Sequence, residues 1–122
     1  LVGLLEAAID GTLDGVAAQW DPRPSLGVVM AASPYPETPI TGDVISGLDA
    51  VPAHAKVFHA GTALDAAGNV IATGGRVLCV CALGDSVSAA QRAAYAGVEA
   101  ISWAHAFHRH DIGWRAIARE RG

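Results

Sequence analysis

Residues 56–83 constrain the fold more than any other stretch of the chain. Val57-Phe58 opens an extended apolar run, and Asp65-Ala66-Ala67-Gly68-Asn69 has the composition of a turn. Val70–Thr73 forms a second strand, Gly74-Gly75 turns again, and Arg76–Leu83 makes a third. The pattern predicts two hairpins in succession, a three-stranded meander. Small polar groups (His59, Thr62, Arg76) fall at strand ends or turns, where a bending backbone and a reaching side chain coincide. A ligand handled by this chain is expected here.

Leu26–Ala32 is a further strand, so continuously apolar that it predicts no wet face. Ser33–Pro39 is a proline-stiffened loop with one aromatic, Tyr35, suited either to recognition or merely to crossing the sheet edge. Gly42–Leu48 reads as a short strand and turn. After Gly84 the period changes. Asp85 or Ser86 can cap a helix whose apolar stripe (Val87, Ala90, Ala94, Val98, Ile101) runs to about Trp103. Its alanines predict close approach to a sheet. Upstream, residues 1–9 read as a short helix ended by Asp10-Gly11, with a further turn or short helix over 12–18 and a rigid connection at 20–24. The tail closes in a basic turn with Arg115, Arg119 and Arg121, cations that suit a helix C-terminus without any ligand. The whole is α+β: a small, mainly antiparallel sheet (strand, loop, three-stranded meander) covered by one long C-terminal amphipathic helix.

With 122 residues, 52% apolar and 16% charged, the chain has material for one packed core. A net charge of −4 with eight Lys and Arg offers no stripe for a polyanion, which excludes nucleic acid as a partner. No apolar run is long enough to span a bilayer, so no membrane role is expected. Leu1, Leu4, Leu5 and Ala8 stand at helical spacing with no basic residues before them, unlike a secretory signal. The chain opens as though partway through an element and reads as the tail of something longer. Cys79 and Cys81 share one face of a strand, the pattern of small buried hydrophobes in a reduced cytosolic protein.

Four constellations invite chemistry. His105, His108 and His110 suggest a metal, but on a helix only the first two share a face and no acidic residue at ligand spacing completes the set, which favours a helix end without metal. In Gly74-Gly75-Arg76, two glycines leave backbone N–H groups open to an anion that the arginine can pair bidentately; a tight hairpin turn with a surface arginine fits equally. His59, beside Gly61 and Thr62, is either a core histidine bonded to backbone or an acid–base group. Arg109 and Asp111, two apart, read as an ion pair fixing the tail. No phosphate-cradling loop before a helix, nucleophile elbow or acidic cluster is present. The residues alone encode no complete active site.

Taken in order, these segments resemble the C-terminal domain of the phosphoribosylamine–glycine ligase (glycinamide ribonucleotide synthetase) family of ATP-grasp enzymes. The resemblance runs over nearly the whole chain, through Leu26–Ala32, Tyr35-Pro36, Gly42–Leu48, Val57–Thr62, Gly74–Leu78, Ala82–Asp85 and Arg109–Gly113. Ser33-Pro34 and Glu37 stand where the family usually has glycines, and Cys79 and Cys81 where smaller or hydroxylated residues are common.

The resemblance implies that residues 1–18 close a preceding ATP-grasp domain, with Leu1–Ile9 its last helix, and that 19–122 form the C-terminal domain. It implies a cytoplasmic ligase of purine biosynthesis joining glycine to 5-phosphoribosylamine through a glycyl phosphate. ATP and Mg2+ or Mn2+ would be held upstream and none bound by this segment, which alone would be inactive. Its partners would be the N-terminal and ATP-grasp domains of the same chain. Gly74, Gly75 and Arg76 would contact phosphoribosylamine or the acyl phosphate, with His59, Gly61 and Thr62 as the neighbouring wall; no residue here would be catalytic or bind metal. The competing expectations are a stand-alone, non-catalytic binding or assembly domain and a subunit completing a ligase in trans. A domain made to meet others should present a bare apolar face.

Overall fold

The computed structural model describes residues 1–120 and 122; Arg121, assigned above to the basic last turn, lies outside the described residues. Among the described residues, three α-helices and six strands follow one another as α1 (Val2–Ile9), β1 (Ser25–Ala32), β2 (Ala55–His59), β3 (Thr62–Leu64), β4 (Val70–Ala72), β5 (Arg76–Leu83), α2 (Val87–Glu99), β6 (Ala106–His108) and α3 (Trp114–Glu120). Four strands form one antiparallel sheet in the order β2-β5-β1-β6, and β3 and β4 form a separate ribbon. The fold is α+β with α2 packed on one face of the main sheet.

Helix α2 starts where the sequence says it should. The Ser86 hydroxyl accepts a hydrogen bond from the Ala89 N–H at 3.1 Å. A second cap comes from far away: the Glu120 carboxylate accepts from the N–H groups of Val87 and Ser88 and from the Ser88 hydroxyl. A carboxylate at this end also meets the positive pole of the helix. Ala90, Ala94, Gly97 and Val98 are buried, joining Val28, Met30, Leu78 and Val80 in the core. The approach is close, because a Cβ on Gly97 would lie 2.8 Å from Val80 Cγ1 and 3.0 Å from the Ala55 Cβ. Gly97→Ala therefore sets a helix-propensity gain of about 1 kcal/mol against overpacking of about 1–3 kcal/mol. Overpacking wins, and urea titration should show a net loss of about 1 kcal/mol.

The central stretch departs from a meander. β2 pairs directly with β5, from Ala55 opposite Ala82 to His59 opposite Leu78, and the β3-β4 ribbon is an excursion between them. Gly74-Gly75 is consequently no hairpin turn. The ribbon gains its third partner from the 42–45 segment: Gly42 and Ile45 donate to the Ala72 and Val70 carbonyls, and Ala72 donates to Asp43. The strand and turn expected over 42–48 are thus reduced to single bridges and a 3-10 turn at Leu48–Ala50.

Strand β1 also differs from its reading. Its burial alternates through Val29, so Gly27 and Val29 lie on an open face, with Val29 44% exposed. Continuous apolarity there marks a second apolar face left uncovered, which Phe58 and Phe107 share. α2 stops at Glu99 rather than near Trp103, and the chain after it forms edge strand β6 instead of more helix. Arg115 does not sit in a last turn either. It opens α3, its guanidinium 5.2 Å from the Trp114 ring centroid, while Arg119 does occupy the last turn.

Candidate functional site

Arg76 owes its position to an irregularity. Along β5 the residues Leu78, Val80 and Ala82 face α2, so strict alternation would turn Arg76 into the core. Leu78 pairs with Met30 and Arg76 with Ala31, so the register shifts between Met30 and Ala31, and Val77 is the extra residue. Val77 and Leu78 are both buried as a result, and Arg76 emerges exposed. A bulge that re-aims a side chain at the end of a strand is a frequent device at binding sites. Among the described residues, the Arg76 guanidinium has no hydrogen-bond or ion-pair partner.

Of the six residues singled out from the sequence, Gly61, Gly74 and the Arg76 backbone meet directly, while His59 and Thr62 pair with each other, His59 opposite Leu78 on the α2 side of the sheet. The Gly61 N–H donates to the Arg76 carbonyl at 3.0 Å and the Thr73 N–H to the Gly61 carbonyl at 2.8 Å. A Cβ on Gly61 would lie 2.7 Å from the Arg76 carbonyl oxygen and 3.0 Å from Gly74. Only glycine lets the two backbone segments touch. The Gly75 carbonyl accepts from Ala32 at 2.9 Å, whereas the N–H groups of Gly74 and Gly75 have no partner among the described residues. His59 is exposed rather than in the core, and its Nδ1 lies 3.1 Å from the Thr62 hydroxyl. The result is a ledge at Gly74–Arg76 whose two backbone N–H groups and guanidinium have no partner among the described residues, with the imidazole–hydroxyl pair of His59 and Thr62 at the end of the adjacent strand.

Tyr35 links this ledge to its surroundings. A Cβ on Gly75 would lie 3.2 Å from the Tyr35 ring. The same ring lines a cavity of about 320 Å³ on the open sheet face, with Gly27, Val29, Ala31 and Phe107. Sequence reasoning marked Tyr35 as a recognition candidate but gave no sign of the bulge. It also missed the brace under the loop, where Asp43 Oδ2 accepts the His105 N–H at 3.0 Å and lies 2.7 Å from His105 Nδ1. Its only signal was a polar residue between two turn glycines, Gly42 and Gly47.

The tail is pinned by polar contacts. Arg109 and Asp111 pair bidentately at 2.8 and 2.6 Å, as the spacing indicates. The Arg109 guanidinium holds the Asp111 carboxyl below the usual carboxylate range. The Tyr95 hydroxyl donates to the Arg109 carbonyl and accepts from the Ile112 N–H, and Gln91 donates to the Ile112 carbonyl. His105 is spoken for by Asp43, leaving His108 and His110 in edge-to-face contact, centroids 4.5 Å apart. Among the described residues no three His, Cys, Asp or Glu side chains could hold a metal ion.

Burial, and then the neighbouring His110, lower the His108 pKa. Between its lowered native pKa and the ordinary value of 6.5, the unfolded chain binds more protons than the folded one, so stability rises with pH through that window. What His108 leaves unperturbed above pH 6.5 is lost as pH falls below it. An NMR titration should place the His108 midpoint below 6.5, and His108→Asn should flatten the fall in stability across that interval.

The fold is a small α+β domain with Arg76 exposed and unpaired among the described residues at the end of β5. The chain belongs to the family described as "Phosphoribosylglycinamide synthetase, C domain", whose model matches residues 25–115. It is 78% identical over 121 residues to a phosphoribosylamine–glycine ligase of Xanthomonas campestris and 62% identical over 123 residues to one of Allochromatium vinosum, covering 99% of this chain in each case. It spans only 28% of the length of these relatives. The crystal structure of phosphoribosylamine–glycine ligase from Thermotoga maritima matches with a TM-score of 0.72 at 32% identity, over 90% of this chain and 27% of that one.

Proposed function

We propose that this chain works as the C-terminal domain of a phosphoribosylamine–glycine ligase and forms the wall that receives the phosphorylated amine substrate. The observation that carries the proposal is the pair of unpartnered N–H groups at Gly74 and Gly75 beside the unpaired guanidinium of Arg76. Such a set matches the oxygens of a phosphate or acyl phosphate in number and charge.

In the whole ligase, the glycine carboxylate takes a phosphoryl group from ATP, giving glycyl phosphate and ADP. The amine of 5-phosphoribosylamine then attacks the acyl carbon, phosphate leaves, and the amine gives up one proton as the amide forms. Arg76 neutralises phosphate charge, the glycine N–H groups donate to its oxygens, and His59, held by Thr62, orients the substrate. Gly61 keeps the ledge closed against β5. The residues described do not fit Mg2+ or Mn2+. On the family resemblance, metal and ATP are assigned to the segment that would precede this one, and no step here runs through the metal.

Residues 1–18 are assigned to the close of that ATP-grasp segment and 19–122 to the domain proper. Exposed apolar side chains fall on both sides of that division: Leu1 is 89%, Ile9 85% and Trp20 84% exposed. The open sheet face adds the exposed Val29, Phe58 and Phe107, apolar side chains of the kind that the remainder of a ligase-length chain would cover. No helix among the described residues is long and apolar enough to cross a membrane, in keeping with a cytoplasmic enzyme of purine biosynthesis. The natural full-length protein should release ADP only when glycine and phosphoribosylamine are both present. ADP release that ignores either one contradicts the reading.

A further inference from the structure

Cys79 and Cys81 have no role in the function above, and their setting is unlike that of two packing residues. They occupy alternate positions on β5, on the face turned away from α2, with Sγ atoms 3.6 Å apart. Gly27 stands opposite Cys81 on β1. A Cβ there would lie 2.9 Å from the Cys81 Sγ and 3.2 Å from the Cys79 Sγ, so both sulfurs lie against the glycine backbone and no side chain on β1 stands between them. On the other side Lys56 and Phe58 of β2 pair with Cys81 and Cys79. Phe58, Lys56 and Cys81 line a cavity of about 480 Å³.

We infer that Cys79 and Cys81 form a vicinal dithiol site for monosubstituted trivalent arsenicals. Two sulfurs bound to one pyramidal arsenic, taking a thiolate bond of about 2.3 Å and an angle of about 100°, stand about 3.5 Å apart, close to the spacing already present. A structural zinc would need four donors, and no third His, Cys, Asp or Glu joins the pair among the described residues. An arsenic carrying one carbon substituent needs only two sulfurs. The reaction is a ligand exchange without redox change: both As–O bonds of an organoarsenic(III) oxide are replaced by As–S bonds, and the two thiol protons leave with the oxygen as water. The organic substituent has room in the cavity beside Phe58. Burial, and then the hydrogen bond to Cys81, push the Cys79 thiol up to about 11. It therefore persists as a protonated thiol at neutral pH instead of oxidising as a thiolate.

The test treats the natural full-length protein, undenatured, with one equivalent of phenylarsine oxide and maps the product by mass. Trypsin releases both cysteines in one peptide, Val77–Arg92. That peptide should gain one phenylarsenic, removable by a dithiol such as ethanedithiol but not by a monothiol. Cys79→Ala and Cys81→Ala, with the serine variants as a second pair, should each weaken the adduct by about 100-fold or more through loss of chelation. The inference is overturned by an unlabelled peptide in the native protein, or by a single-cysteine variant that keeps wild-type affinity. It does not rest on the ligase reading, and neither outcome bears on that reading.

Discussion

Replacing Arg76 by alanine lowers kcat/KM for phosphoribosylamine by about 100- to 1,000-fold in the full-length enzyme, the range for losing one preorganised donor to a developing charge. The magnitude follows from what Arg76 leaves behind. It has no structural partner among the described residues, so its removal breaks no ion pair and the domain should unfold at an unchanged urea midpoint. Loss of rate without loss of stability is the signature of a ligand contact. Arg76→Lys should recover only part of the rate, since a point charge lacks the planar fork that grips two oxygens. Steady-state kinetics with varied phosphoribosylamine decide it, and wild-type kcat/KM in the alanine variant removes Arg76 from the site.

Gly47→Ala should be the most damaging single methyl in the domain. Gly47 has φ +82°, and a Cβ there would lie 1.9 Å from the Ala100 carbonyl oxygen, just past the end of α2. The left-handed backbone costs about 1–2 kcal/mol for a side chain, and the overlap with backbone that cannot rotate away adds about 1–3 kcal/mol. Together they consume a large share of the roughly 5–15 kcal/mol that holds a domain together. The bridge between Ser46 and Ser102 would open with them. Urea titration of the 122-residue chain measures the loss. Gly68→Ala is the control: its φ is +83° but nothing lies within 4 Å, so it should lose only the backbone cost, about 1–2 kcal/mol.

These two glycines show what a sequence can and cannot disclose. Both stand in recognisable turns, and nothing local separates the one pressed against Ala100 from the one in open space. Strands β1, β4 and β5 and the start of α2 were legible because period and capping are local. Strand pairing was not. A run of apolar segments with turns between them suggests a meander, yet β2 reaches past the ribbon to β5, and only the completed sheet shows it. The end of α2 was misjudged because Ile101 and Trp103 extend the apolar stripe, although Ser102 has already paired with Ser46.

The residues of the candidate site stand out in composition, and their geometry does not. Gly61, Gly74, Gly75 and Arg76 were named because glycines beside an arginine suit an anion. Their convergence depends on Gly61 touching Gly74 across the chain and on Val77 bulging from β5, neither of which has a local signature. His59 was harder. An apolar strand suggests a core histidine, but β2 is an edge strand and its last residue lies outside the cover of α2.

The most direct measurement is a structure of the natural full-length protein with the product of the proposed ligase reaction, read at Arg76. The ledge requires the ribose-bound phosphate, or the phosphate released from the acyl group, to lie about 2.7–2.9 Å from the guanidinium and within reach of the Gly74 and Gly75 N–H groups. A product seated elsewhere, with Arg76 and both glycines facing water, would contradict the account.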